Sequence, residues 1–118
     1  NVNLFKGRLH KGKLTHGNFE VDVPDFSETE NTEAVGYVRP HDISIERENS
    51  IDSVSAKINY IHLVGAAVQL ELVRKDNGEF LEAEITKEQY RTLHLKTGEE
   101  VFVKPKQLKV FIPQDYSI

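Results

Sequence analysis

The sequence has no cysteine, which excludes disulfide bridges and thiolate chemistry and suits a cytosolic setting. No stretch approaches the roughly 18 consecutive apolar residues of a membrane helix, so the chain itself is expected to be soluble. Asn1-Val2-Asn3 offers neither the charged leader nor the apolar segment of a secretory signal. The chain opens without Met on a strand-like pattern, and a piece of a longer protein is expected. Phosphate-cradling G-x-x-x-x-G-K-[ST] and G-x-G-x-x-G loops are missing, and no serine sits in a G-x-S-x-G turn. The five histidines, at positions 10, 16, 41, 62 and 94, show no H-E-x-x-H or similar metal-ligand spacing. The acids read as wet strand faces and a loop rather than paired catalytic carboxylates. A basic excess is lacking too. Fifteen Lys and Arg stand against 19 Asp and Glu, a net charge of −4 that argues against a general phosphate-backbone binder. Four Tyr and six Phe on this acidic background do not make the aromatic, basic groove that single-stranded nucleic acid needs.

What is present is patterned for β-structure. The chain has 118 residues, 38% hydrophobic and 29% charged, enough for one globular domain with a single core. Its organising stretch is Ala34-Val35-Gly36-Tyr37-Val38-Arg39-Pro40-His41-Asp42-Ile43-Ser44-Ile45. Val35, Tyr37 and Arg39 fall on one side of a strand, Gly36 and Val38 on the other. Pro40 has no N–H to give a ladder, so it marks a strand end or an edge, and Ile43 and Ile45 restart the alternation. The reading is strand, rigid corner, strand. Arg39 reads as an internal ion-pair anchor, and His41 and Asp42 as caps bonded to the corner backbone.

Residues 2–10 read as a first strand, Lys11-Gly12-Lys13 as a turn, and residues 14–23 as the returning strand, ended by Pro24. Residues 25–33 are polar, acidic and aperiodic, a surface loop. Val54, Ala56, Ile58 and Tyr60 alternate, but Ile61 and Leu63 fall out of phase. That slip implies a bulge near Tyr60 or a strand buried on both faces. Tyr37 and Tyr60 read as core aromatics and His62 as a core histidine. Val68, Leu70 and Leu72 alternate as a strand, Asp76-Asn77-Gly78 is a hairpin turn, and residues 80–85 return. Thr86-Lys87-Glu88-Gln89 has capping-box form, and Tyr90, Leu93 and Leu95 give a short apolar side, so one helix is expected over about 86–95. Two more short strands around Val101 and Val110 complete a mainly β chain, an OB-like barrel or a sandwich of short antiparallel strands.

Charge is unevenly placed. Lys6, Arg8, Lys11 and Lys13, with His10 and His16, precede any acid. Glu20, Asp22, Asp25, Glu28, Glu30 and Glu33 follow, with no Lys or Arg until Arg39. Two readings stand: solvated strand faces of opposite sign that neighbour each other in a hairpin, or a basic patch for a small anion at Lys6, Arg8, Lys11 and Lys13.

The Val2-Asn3-Leu4-Phe5 opening, the Tyr37-Val38-Arg39-Pro40-His41-Asp42-Ile43 corner and the Val64-Gly65 turn, with Gly98-Glu99-Glu100-Val101-Phe102-Val103 near the end, resemble a known family. It is the C-terminal, TOBE-containing domain of ABC importer ATP-binding subunits, and the resemblance covers residues 1–118. The Arg39-Pro40-His41-Asp42 corner, Tyr90 with Leu93, and the Val110-Phe111 ending are most similar to the sulfate/thiosulfate importer branch. The resemblance implies an OB-like regulatory and dimerisation domain, non-catalytic in itself, attached to an ABC-type ATPase. ATP and Mg would bind the nucleotide-binding domain, which is not in these residues, so no cofactor and no metal are expected here. The implied partners are that nucleotide-binding domain, a second copy of the subunit and the transmembrane permease subunits, on the inner face of the membrane and without nucleic acid. Tyr37, Arg39, Pro40, His41 and Asp42 are then a structural joint. The alternative is a stand-alone OB-type module binding an oxyanion or an oligonucleotide.

Overall fold

The computed structural model describes residues 2–113, which form ten strands, one α-helix and two short 3-10 turns. The first sheet contains β1 (Asn3–His10), β2 (Lys13–His16), β3 (Phe19–Asp22), β4 (Thr32–Val38) and β10 (Lys109–Phe111) in the antiparallel order β10-β4-β1-β2-β3. Period-two burial builds it. Asn3, Phe5 and Leu9 of β1 face inward, while Leu4, Lys6, Arg8 and His10 face water. Gly7 completes the inward row because a Cβ there would sit 2.0 Å from the Thr15 carbonyl oxygen. Lys11 and Gly12, with φ of 47° and 81°, make the tight turn into β2, as a two-residue hairpin loop requires.

Residues 14–23 do not return as one strand. Gly17, at φ 62°, reverses the chain, so β2 and β3 form a hairpin of their own with His16 opposite Phe19. The loop after β3 is also more ordered than its composition suggests. Pro24–Phe26 is a 3-10 turn, and Gly12 N–H donates to Phe26 O at 3.1 Å, holding the loop over the first hairpin.

The second sheet contains β5 (Ile43–Glu46), β6 (Val54–Val64), β7 (Ala67–Arg74), β8 (Phe80–Thr86) and β9 (Glu100–Pro105), ordered β5-β9-β6-β7-β8. Between β8 and β9 lies α1 (Lys87–Leu93). Gln89 N–H donates to Thr86 Oγ1 at 3.0 Å and Thr86 N–H to Gln89 Oε1 at 3.0 Å, the expected capping box. His94 turns left-handed at φ 51° and stops the helix two residues short of Leu95, which is buried in the core. At the β7–β8 turn only Gly78 is left-handed, and the connection is a longer loop closed by Arg74 N–H donating to Glu79 O at 2.8 Å.

Neither sheet closes on itself. The architecture is mainly β and OB-like, with the main core between the sheets: Phe5, Phe19 and Val38 pack with Ile43, Ile58, Leu70, Leu72, Val101 and Val103. A smaller cluster of Leu9, Leu14, Val23 and Ala34 lies inside the first sheet's hairpins. Buried Asn3 fastens the sheets. Its Nδ2 donates to Val38 O (3.2 Å) and Glu82 O (2.9 Å), and Oδ1 accepts from Glu82 N–H (2.9 Å).

The slip in β6 is a bulge: its register against β7 shifts between Ile58 and Tyr60. The extra residue inverts the alternation, so Tyr60 and His62 point outward instead of into the core. Their rings stack at 5.7 Å, with Tyr60 57% exposed. Tyr37 is likewise not a core aromatic; it lies half-buried, edge-on to Phe111 at 5.0 Å.

Candidate functional site

The corner forms because Arg39, preceding proline, is held extended at φ −72°, ψ 152°. Pro40–Asp42 then makes a single 3-10 turn in which Asp42 N–H donates to Arg39 O at 2.9 Å. Lys106 N–H donates to Asp42 O at 2.6 Å, pinning the corner to the segment before β10. No side chain caps the turn; His41 Nε2 instead lies 3.6 Å from Asp42 Oδ2. Arg39 is exposed and has no ion pair among the described residues, because alternation along β4 carries it to the outer side with Tyr37. It is no internal anchor. Arg39, His41 and Lys109 instead border an open cleft, whose apolar wall includes Tyr37 and Phe111 and whose rim includes Val2.

The basic residues of the first hairpin are only partly gathered. Lys6 and Arg8 lie on the outer face of β1, where Arg8 is paired in register with Glu33. Lys13 contacts Asp22 at 2.7 Å and Glu20 at 3.4 Å, and the hydrogen bond to Asp22 holds its ammonium above the usual lysine range. Lys11 sits apart, in the turn. The face is one of mixed sign.

The residues that sequence reading overlooks are at the junction of the sheets. Arg74 ends β7 with its side chain fully buried. Its Nε donates to Asp76 Oδ1 at 2.9 Å and its Nη2 to Asp76 Oδ2 at 2.5 Å, and Nη2 also donates to His16 O at 2.9 Å. Asn18 N–H adds a bond to Asp76 Oδ2 at 2.8 Å, and the guanidinium lies 5.3 Å from the Phe19 ring centroid. Burial pushes the Asp76 carboxyl up, but the bonds from Arg74 and Asn18 outweigh it and hold the group below the usual carboxylate range. His16 reinforces the joint, its Nε2 lying 2.9 Å from Glu79 Oε2. A signal was present: Val68, Leu70, Leu72 and Arg74 share one period-two face, so the arginine had to be inside. A second tie runs from Arg47, which donates to Leu93 O and His94 O at the end of α1 and pairs with Glu99.

Among the described residues, no group of three His, Cys, Asp or Glu side chains is spaced to hold a metal ion, and no helix is long and apolar enough to cross a membrane. What the arrangement offers is a braced two-sheet body with a cleft that carries Arg39, Lys109, His41 and Asp42 beside the Tyr37 and Phe111 rings. Such a surface can dock or bind.

Residues 3–45 match the family described as the CysA C-terminal regulatory domain, and residues 48–106 the TOBE-like domain. The chain is 50% identical over 119 residues to a sulfate/thiosulfate import ATP-binding protein CysA of Bacillus cereus, spanning 100% of this chain and 33% of that protein. A protein of the same description from Nitrosomonas europaea is 46% identical over 113 residues, covering 93% of this chain and 31% of its own length. The chain thus spans about a third of the length of these relatives. Among solved structures it is similar to the cytoplasmic molybdate-binding protein ModG with molybdate bound, at a TM-score of 0.71 and 17% identity, covering 94% of this chain and 96% of the other. That likeness is one of fold.

Proposed function

Because this chain belongs to the CysA C-terminal regulatory and TOBE-like domain families, we propose that it is the regulatory and dimerisation domain of the ATP-binding subunit of a sulfate/thiosulfate importer. The observation that carries the reading is the end-to-end likeness to the regulatory third of such subunits. The parent couples ATP hydrolysis to anion import at the inner face of the membrane. Its nucleotide-binding domain holds ATP and Mg, and this chain supplies no catalytic group. Its partners are that domain, a second copy of the subunit and the permease subunits. The cleft at the corner, with Arg39 and Lys109 on its border and Tyr37 and Phe111 in its wall, suits contact with the nucleotide-binding domain. Cells lacking the importer's ATP-binding subunit test the reading when complemented with the full-length protein carrying Arg39→Ala and Lys109→Ala. Sulfate uptake falls while protein level and melting temperature hold; unchanged uptake removes the cleft from the account.

A second reading, an oxyanion-binding module, is favoured by one observation: Arg39, Lys109, Lys6, Arg8 and Lys11 have no ion pair among the described residues. Calorimetric titration of the chain with sulfate and with a short oligonucleotide tests it. Heat with sulfate that is lost in Lys6→Ala/Arg8→Ala places the site on the hairpin, loss in Arg39→Ala places it at the corner, and no heat with either ligand ends the reading.

A further inference from the structure

We propose that residues 60–64 of β6 are a pairing edge on which a second copy of this chain adds its own β6, antiparallel, about a two-fold axis through His62. β9 accompanies β6 only as far as residues 54–57, and Ile58 makes the last bonds on that side, donating to Glu99 O at 2.9 Å and accepting from Gly98 N–H at 2.7 Å. Beyond the bulge, β6 pairs with β7 alone, from Tyr60 opposite Glu71 to Val64 opposite Ala67. Among the described residues no backbone bond reaches the other side of residues 60–64. A row of unpaired N–H and C=O groups is a template for another strand, and sheet proteins ordinarily blunt it with charge, proline or a covering side chain.

The other outer strands are blunted in those ways. β3 carries Glu20 and Asp22, and β5 has four residues and ends on Glu46. β10 has three residues and begins on Lys109, while the Asn3 side chain occupies both backbone groups of Glu82 on β8. Residues 60–64, Tyr-Ile-His-Leu-Val, have no Lys, Arg, Asp, Glu, Pro or Gly. They are nevertheless open to solvent, with Leu63 62% and Val64 52% exposed. What covers them must bring a strand and apolar side chains.

The segment itself meets both conditions. Residues opposed in an antiparallel pair share a face, so a strand pairing with its own copy must centre on a residue. Centred on His62, Tyr60 stands opposite Val64 of the second copy on the outer face, and Ile61 opposite Leu63 on the inner face. These are aromatic–β-branched and aliphatic pairs, which stabilise a sheet, and on the axis itself His62 stands opposite its own copy. The inner pairs continue the buried row of Val68 and Leu70, which face Leu63 and Ile61 on β7. The inference deepens the reading of the second copy as a partner and rests on that part alone; a chain without a role in sulfate import can still pass its test.

The test uses the 118-residue chain and the absence of cysteine from it. Sedimentation equilibrium between about 10 µM and about 1 mM covers the range of a contact smaller than the ~1,600 Å² of a standard interface. A monomer–dimer equilibrium is expected, and Leu63→Lys weakens it by about tenfold or more because each new ammonium is set against Ile61 of the second copy at an apolar edge, with the melting temperature of the monomer unchanged. His62→Cys places two thiols across the axis at a Cα separation of about 4.5–5.5 Å, within disulfide reach. It oxidises to a covalent dimer faster than Lys57→Cys, whose position on the same strand is flanked by β9. A monomer throughout the range, a dimer indifferent to Leu63→Lys, or crosslinking no faster at 62 than at 57 overturns the proposal.

Discussion

Replacing Asp76 by Asn keeps the side chain's shape and removes the charge that partners Arg74. The arginine side chain is 0% exposed and Asp76 8%, so the guanidinium would stay in the interior with no carboxylate and its bidentate bonds reduced to one acceptor. The Asn amide would also set its donor against both Arg74 Nη2 and Asn18 N–H if it took the place of Oδ2, or against Arg74 Nε if it took the place of Oδ1. Nη1 already lacks a hydrogen-bond partner among the described residues, so nothing nearby compensates. Breaking a buried pair in this way costs about 3–5 kcal/mol, a large share of the roughly 5–15 kcal/mol that holds a domain together. At this chain length the melting temperature drops by roughly 10–25 °C. Urea unfolding at neutral pH reads the loss, and Arg74→Met/Asp76→Ala is the control. The double variant removes the stranded charge as well, so it recovers a substantial part of the stability. A loss under about 1 kcal/mol in Asp76→Asn, or a double variant no more stable than the single, refutes the claim that this pair braces the two sheets. The pH dependence follows the same physics. The Asp76 carboxyl titrates lower in the fold than in the unfolded chain, so its stabilisation is complete above the unfolded value of about 3.9. It is lost as pH falls through the lower folded value. Asp76→Asn removes that part of the acid sensitivity.

Two further substitutions probe the same framework. Gly17→Ala would put a Cβ 2.6 Å from Asp76 Oδ2 and 2.9 Å from Arg74 Nη2, at a φ of 62°. The expected loss is about 2 kcal/mol or more by thermal unfolding, and it is smaller in the Arg74→Met/Asp76→Ala background if the clash is with the pair. Asn3→Ala removes the two side-chain bonds to the backbone of Glu82 and the bond to Val38 O, and costs about 1–3 kcal/mol. Amide exchange at Glu82 on the outer edge of β8 should rise with it, and unchanged protection there would contradict the role given to Asn3.

The elements with a strong local signature were legible in the sequence. The proline corner, the capping box at Thr86, the bulge near Tyr60 and the tight turn at Gly12 each depend on a few neighbouring residues. What the sequence hid depends on partners distant in the chain. The break at Gly17 is lost within residues 14–23, which read as one returning strand until Arg74 and Asp76 arrive to occupy the space a Cβ would take. The outward turn of His62 follows from the bulge, yet an apolar run reads as core because its missing neighbour strand cannot be seen in the order of residues. Arg39 looked like an internal anchor because alternation alone does not tell which side of β4 meets the second sheet. The cleft it borders is assembled from three separate stretches, at Val2, the corner and the segment around Lys109.

The regulatory role is tested most directly by ATP binding, ATP hydrolysis and sulfate uptake of the full-length subunit reconstituted with its permease, measured with and without this chain. The shortened subunit is expected still to bind and hydrolyse ATP, since the family this chain matches is a regulatory domain, while the regulation of uptake is altered. Loss of ATP binding along with the chain, or uptake and control identical in the two proteins, would contradict it.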